Sequence, residues 1–535
     1  MKLRRPDLTT VTVDGATLTL NAEGKAEGVS VEYVLANGGM DVLARADKPL
    51  RYVRARWNFA EEEKRTESVK VLGDAWERAY GELGWDTVRP ERCMPWYIAV
   101  SNGSDANPDT ANRLTECMGV GVLPNALAFW QYDTAGVTLW LDVRCGGVGV
   151  QLGDRTLNCA TVYFREYRDT SAFAAVSDFC GVLSPNPLTT DHVVYGSNNW
   201  YYAYGKSSHE EILSDAKFVK ELCAGLENPP YMVIDDGWSP NATDAPWDIG
   251  NERFPDMKGL AEEMTKIGVR PGIWVRYLVN GKDDSDRKIE LPEAWYRSRT
   301  TLDPSHPEVL AYVAEITERL TAEWGYRLIK HDFSTFDMVN RWGFDFRDQL
   351  FRDGWHFYDR TKTSAEIIKN FYQTITDHAH GAVIIGCNCI GHLCAGIHHL
   401  NRTGDDTSGF EWDRTRKMGV NTLAFRLPQN GHFFGADADC VGIMGKIDWK
   451  MNRQWLKALS RSGSPLFVSC HPEVPNEDEL ADLREAFRYG STASDTLIPL
   501  DWMETSTPTR WLLNGEEITF DWYPEEGTAS FVPGK

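Results

Sequence analysis

Three textures in the 535-residue sequence predict a multidomain chain of α/β plus β class. Short alternating strands fill 1–185 and predict an N-terminal β-sandwich. Short apolar runs then alternate with amphipathic stretches over 186–472 and predict a central (β/α)8 TIM barrel. A few further strands in 473–535 predict a small C-terminal β region. About three domains suit a chain of this length, at roughly 100–200 residues per domain.

In the first segment, 11–13, 16–20, 29–34, 137–143, 147–152 and 161–164 read as strands, broken by Gly and Asn. A helical period over 67–83 interrupts them. Pro185 and Pro187 mark a linker. The barrel strands are expected at 193–202, 231–235, 270–275, 327–332, 382–387, 398–403, 432–436 and 465–469. Helices are expected at 210–226, 257–267, 307–323, 364–379 and 449–460. The tail carries strands at 509–513, 517–522 and 529–532.

Composition narrows the function. Apolar residues make 42% and charged residues 25% of the chain, as in globular proteins. The formal net charge of −22 argues against nucleic acid and against an anionic membrane surface, and it suits a neutral substrate or serves solubility. Residues 1–14 are basic without an apolar stretch, and no run of about 18 apolar residues follows, so neither a secretory leader nor a membrane span is expected. Eleven cysteines, an odd number spread thinly, fit reduced thiols and a cytoplasmic location. Cys387, Cys389 and Cys394 lie near His392, His398 and His399, which invites a zinc reading. Their spacing is not a C-x-x-C pair matched to a second pair, so core or substrate-lining thiols are expected, with no metal and no cofactor. Twenty tryptophans supply aromatic faces for sugars as well as core anchors.

The residues after the barrel strands carry the chemistry. The second strand leads into Asp235, Asp236, Gly237 and Trp238; the third ends in Trp274, Arg276 and Tyr277. The fourth carries Lys330, His331 and Asp332. The fifth ends at Cys387, the sixth leads into Arg402 and Asp405-Asp406, and the seventh into Asp437 and Asp439. Any one of these aspartates has a plain explanation as a helix N-cap. Their repetition points to one site assembled from several strand ends. Paired carboxylates, several tryptophans and no phosphate loop suit glycoside hydrolysis, which needs an ionised carboxylate and a protonated one. Lys330 is expected to favour ionisation of Asp332. Asp405, if ionised, is expected to discourage ionisation of Asp406.

These motifs resemble glycoside hydrolase family 36, the retaining α-galactosidases and their raffinose-synthase relatives. Lys330-His331-Asp332-Phe333 is similar to the family's nucleophile motif, and Arg402-Thr403-Gly404-Asp405-Asp406-Thr407 to its acid/base motif. Segments 195–202, 234–238, 254–274 and 302–309, the Cys387-to-Arg402 spacing and Asp437-Ala438-Asp439-Cys440 extend the resemblance over 195–440. The resemblance implies Asp332 as nucleophile and Asp406 as acid/base. It implies Asp235 and Asp236 on the 4- and 6-hydroxyls, Trp200 and Trp274 as aromatic walls, and Lys330, Cys387 and Arg402 lining the pocket. Asp405, His331 and the Cys/His-rich segment after Cys387 depart from the family pattern and bear on whether an N-acetyl group is accepted at the 2-position. The family also lends an aromatic residue from its N-terminal domain, for which this sequence offers no motif.

The expected activity is thus a retaining α-galactosidase acting on an oligosaccharide or glycoside, and a homo-oligomer stays open. The alternatives are an α-N-acetylgalactosaminidase, a raffinose-synthase-like transferase and a non-catalytic carbohydrate-binding barrel. A metal-dependent hydrolase using Asp437, Asp439 and the histidines is the rival of different chemistry.

Overall fold

A computed structural model of the chain describes residues 1–63, 69–105, 110–111, 113–281, 289–525 and 527–528. The first segment forms two antiparallel sheets. One has six strands, with Leu50–Asn58 and Gly136–Asp142 at its centre; the other has seven, with Leu157–Arg168 at its centre. Trp57 and Trp130 of the first sheet meet Phe164 of the second at ring distances of 5.3 and 5.9 Å. Burial of such large rings contributes much of the local stability.

Two expectations fail here. The helical period over 67–83 belongs to no helix among the described residues: Lys70–Gly73 is an edge strand paired with Tyr97–Ser101. Residues 74–83 then run irregularly because the barrel claims their backbone. The Ala79 N–H donates to the Thr403 carbonyl at 2.9 Å, and the Asp405 N–H to the Ala79 carbonyl at 3.0 Å. Segment 147–152 makes only isolated bridges, since the Gly147 N–H is spent on the Trp355 carbonyl. A helix at Ala172–Leu183, capped by the Ser171 side chain, was not anticipated.

The middle of the chain is a parallel sheet of nine strands. They are Tyr195–Asn198, Tyr231–Ile234, Arg270–Val275, Leu328–His331, Val383–Gly386, Leu400–Arg402, Gly435–Asp437, Cys440–Ile443 and Leu466–Cys470. Its two edges are Gly435–Asp437 and Cys440–Ile443, which follow one another in the chain across Ala438 and Asp439. The seventh expected strand, 432–436, is only Gly435–Asp437, and Cys440–Ile443 is a further strand that was not expected; each pairs with a different neighbour, and the sheet curls into a TIM-like barrel. Asp439, at φ +68°, makes the break.

Alternation decides what faces inward. Tyr231, Val233, Leu328, Val383, Ile385 and Leu400 form one buried cluster inside the barrel, while Met232, Ile234, Ile329 and Ile384 join the larger core outside it. The inward row continues past the strand ends to Asp235, Lys330, Asp332, Cys387 and Arg402, because side chains alternate with a period of two.

The helices follow their caps. Met257–Ile267 starts where Asp256 accepts from the Gly259 N–H and stops at Gly268, at φ +91°. Ser364–Asp377 and Glu477–Gly490 both open with capping boxes, Thr363 with Glu366 and Asn476 with Glu479. The second lies in the tail read as β, yet it packs on Trp449–Arg461 and completes the helical layer. Trp200 belongs to a short helix, Trp200–Ala203, and not to the first strand. The tail also contains the antiparallel sheet Leu497–Pro499, Arg510–Leu513 and Glu516–Thr519; the strand expected at 529–532 lies outside the described residues. Among the described residues, no helix is long and apolar enough to cross a membrane, and all eleven cysteines are free.

Candidate active site

A cavity of about 870 Å³ opens at the C-terminal ends of the barrel strands. Asp235, Asp236, Asp332, Asp406, Lys330, Trp200 and Trp274 all line it. Cys387 and Arg402 do not: both are 1% exposed and sit behind the wall, where an Arg402 Nη donates to the Cys387 Sγ at 3.2 Å. The other Arg402 Nη donates to Asp406 Oδ1 at 3.1 Å and pairs with Asp439 at 3.0 Å.

Asp332 follows the fourth strand directly. The Phe333 N–H donates to its Oδ1 at 2.7 Å, and the Trp274 indole N–H approaches its Oδ2 at 3.4 Å. Phe333 holds φ +58°, a left-handed conformation disfavoured for a bulky residue. The Arg276 guanidinium lies 4.2 Å over its ring, and Trp342 packs at 5.5 Å, so its surroundings hold it there. Behind Trp274 stands a stack of indoles: Trp247 at 5.8 Å, then Trp238 at 5.5 Å from Trp247.

Lys330 turns to Asp235. Its Nζ donates to Asp235 Oδ2 at 2.6 Å, where the Asn198 amide also donates. Asp235 is thus the ion-paired member of its pair. Burial pushes Asp236 up to about 7, helped by the charges of Asp235 and Asp332, and its Oδ1 is buried without a partner.

The electrostatics of Asp406 also differ from expectation. Its side chain is 38% exposed within the cavity. The enclosing walls favour its neutral form, but Arg402, Arg78, Lys330 and Arg414 outweigh them and hold it down at about 2. Arg78 and Arg414 also clamp the neighbouring Asp405, at 3.0 and 2.9 Å. Asp439 accepts from the Thr407 N–H at 2.8 Å and from the Tyr201 hydroxyl, so it braces the Asp406 loop.

The sequence reading missed the cavity's other contributors. Arg78 and Tyr80 enter from 74–83, which precedes the barrel. Glu77 anchors that segment: its carboxylate accepts from the Tyr80 hydroxyl and the Gly343 N–H, each at 2.8 Å, and from the Asn388 amide. Tyr204, Phe344 and Phe410 form an aromatic rim, each more than two-fifths exposed. Arg78 and Tyr80 stand close together in sequence, but a helical period hid their role.

No family model matches the chain. No curated protein matches it either. Solved structures do. The α-galactosidase TtGalA from Thermus thermophilus, solved in complex with p-nitrophenyl α-D-galactopyranoside, covers 96% of this chain over 99% of its own length, with a TM-score of 0.60 and 14% identity. This chain has the fold of the GH36 α-galactosidases. AgaA from Geobacillus stearothermophilus shares the GH36 fold over 96% of this chain and 79% of its own, at a TM-score of 0.61 and 14% identity. The galactosidase domain of AgaSK does so over 95% and 78%, at 0.59 and 13%.

Proposed function

We propose that the chain is a retaining α-glycosidase of the GH36 α-galactosidase type. The carrying observation is one cavity, at the strand ends of a GH36 fold, lined by Asp332, Asp406, Asp235 and Asp236. In this reading 1–185 is a β-sandwich domain that lends Tyr80 and Arg78, 186–472 is the catalytic barrel, and 473–535 supplies the last barrel helix and a small β region.

Asp332 attacks the anomeric carbon and Asp406 protonates the leaving oxygen. Asp406 then draws a proton from water, which cleaves the glycosyl ester with net retention. The two carboxyl groups of such a pair stand about 5–5.5 Å apart. Asp235, paired with Lys330, accepts from a sugar hydroxyl, and Asp236 beside it in the cavity wall binds another. The Trp200 and Trp274 rings meet the apolar face of the pyranose. Asp406 is ionised in the free protein, so it must gain its proton as the sugar enters. Displacing water and separating the carboxyl from Arg78 and Arg414 both push in that direction.

A panel of nitrophenyl α-glycosides tests the reading. The galactoside is expected to turn over fastest, ahead of the N-acetylgalactosaminide, glucoside and arabinoside, and Asp332→Ala is expected to lose several orders of magnitude. Near-normal turnover by Asp332→Ala would sink it.

A further inference from the structure

The proposed catalytic chemistry leaves His331 and the Cys/His segment after Cys387 unused. His331 is the outward member of the fourth strand, opposite in parity to Lys330 and Asp332. Its ring faces the helix Ser364–Asp377, 6.3 Å from Phe371 and 5.9 Å from Tyr372. Cys389, from the loop after the fifth strand, and His398, just before the sixth, meet it there. Donor atoms of the three residues lie within 4.8 Å of one another. Both histidines are 0% exposed and Cys389 is 1% exposed.

We propose that His331, Cys389 and His398 form a buried binding site for a thiophilic late first-row metal ion, Zn(II) or Cu(I), outside the barrel wall and separate from the sugar cavity. Four observations carry this. The His331 Nε2 and Cys389 Sγ are 3.6 Å apart; two ligands at about 2.05 and 2.3 Å from one tetrahedral ion stand about 3.6 Å apart. The other nitrogen of His331 meets the Ser334 hydroxyl at 2.9 Å, the kind of second contact that orients a ligating imidazole. Neither ring nitrogen of His398 has a hydrogen-bond partner, which is costly for a buried polar group with no other use. Finally, Asn401 Oδ1, Cys389 Sγ and His398 Nδ1 converge at 2.7, 2.9 and 3.0 Å on the point where a Cβ on Gly386 would sit. The Asn401 oxygen is also buried without a partner.

Binding replaces the Cys389 thiol proton with the metal, so one proton leaves sulfur as the metal–thiolate bond forms. One thiolate and two neutral imidazoles make a Cu(I) site neutral and leave a Zn(II) site with a single positive charge. Hard ions such as Mg²⁺ are disfavoured by sulfur and nitrogen donors. The spacing of the cysteines in sequence gave no such expectation because His331 comes from another strand.

The test uses the full chain, stripped of metal under reducing, anaerobic conditions. It is titrated separately with Zn(II) and Cu(I), and with Co(II) as a spectroscopic probe. About one ion per chain and about one proton released are expected for at least one of the two metals, with a sulfur-to-cobalt charge-transfer band. Cys389→Ala and His398→Gln are expected to abolish uptake, Ser334→Ala to weaken it by about tenfold, and Cys394→Ala to leave it intact. Wild-type protein that takes up neither ion overturns the proposal, whatever the variants do. So does a folded Cys389→Ala that binds as wild type.

Discussion

Arg78 and Asp405 are joined by a 3.0 Å ion pair that links the segment before the barrel to the sixth strand's loop. Both side chains are mostly buried, at 7% and 15% exposure. Arg414 also holds Asp405, and Arg78 and Arg414 are both among the cations that outweigh burial at Asp406.

Removing Arg78 therefore has two expected effects. Arg78→Met should cost about 3 kcal/mol in stability, the low end for a broken buried pair, because Arg414 still holds Asp405. It should also make Asp406 easier to protonate, since one of the cations that hold it down is gone, which a pH profile of kcat/KM reads as an upward shift of the limb on which activity falls as pH rises.

Asp406 is held near 2 in the free protein. Its role as acid then matters most for poor leaving groups. On sugar-leaving substrates kcat/KM should rise as pH falls, as more of the carboxyl is protonated, and nitrophenyl glycosides should show a weaker trend. Asp406→Asn should cost about 10²–10⁴-fold on the former and much less on the latter. Parallel profiles for the two substrate types would argue against the assignment.

Asp236 carries a pH signature in stability. Its carboxyl is pushed up to about 7 from 3.8, first by burial. Between those values the folded chain keeps a proton that the unfolded chain has released, so stability falls as pH rises through the window, by up to about 1.4 kcal/mol per pH unit. Glu77, likewise pushed up to about 7 by burial, adds a similar slope. Urea melts across pH should show stability falling less steeply for Asp236→Asn than for wild type over that window.

The helix Glu477–Gly490 buries Leu483, Ala486 and Phe487. Two large apolar side chains at about 1.5–3 kcal/mol each are a large share of a domain's net stability. A chain ending at 472 is expected to be insoluble or unfolded by circular dichroism, and one ending at 496 to keep the barrel helices.

The barrel was legible because its strands are buried on both faces and read as short apolar runs, as at 231–234 and 383–386. Met257–Ile267 came out to the residue because Asp256 and Gly268 mark both ends. The helix at Glu477–Gly490 carried an equally plain signal in Asn476 and Glu479, overlooked beside the strands that follow. The cavity's strand-end residues were legible for the same reason, through parity. Arg78 and Tyr80 were not, because an irregular segment pinned by Thr403 and Asp405 has no local pattern of its own. Nor could spacing reveal that Lys330 turns to Asp235, since the choice between two carboxylates is made by neighbouring strands. The His331, Cys389 and His398 cluster was half visible, as a local excess of Cys and His without its third strand.

The most direct measurement of the central claim is trapping of the glycosyl-enzyme with a fluorinated α-galactosyl fluoride, followed by peptide mass mapping. The expected result is one added glycosyl mass on the peptide containing Asp332, lost in Asp332→Ala. Label on another carboxylate, or turnover with no label and release of the inverted sugar, would contradict it.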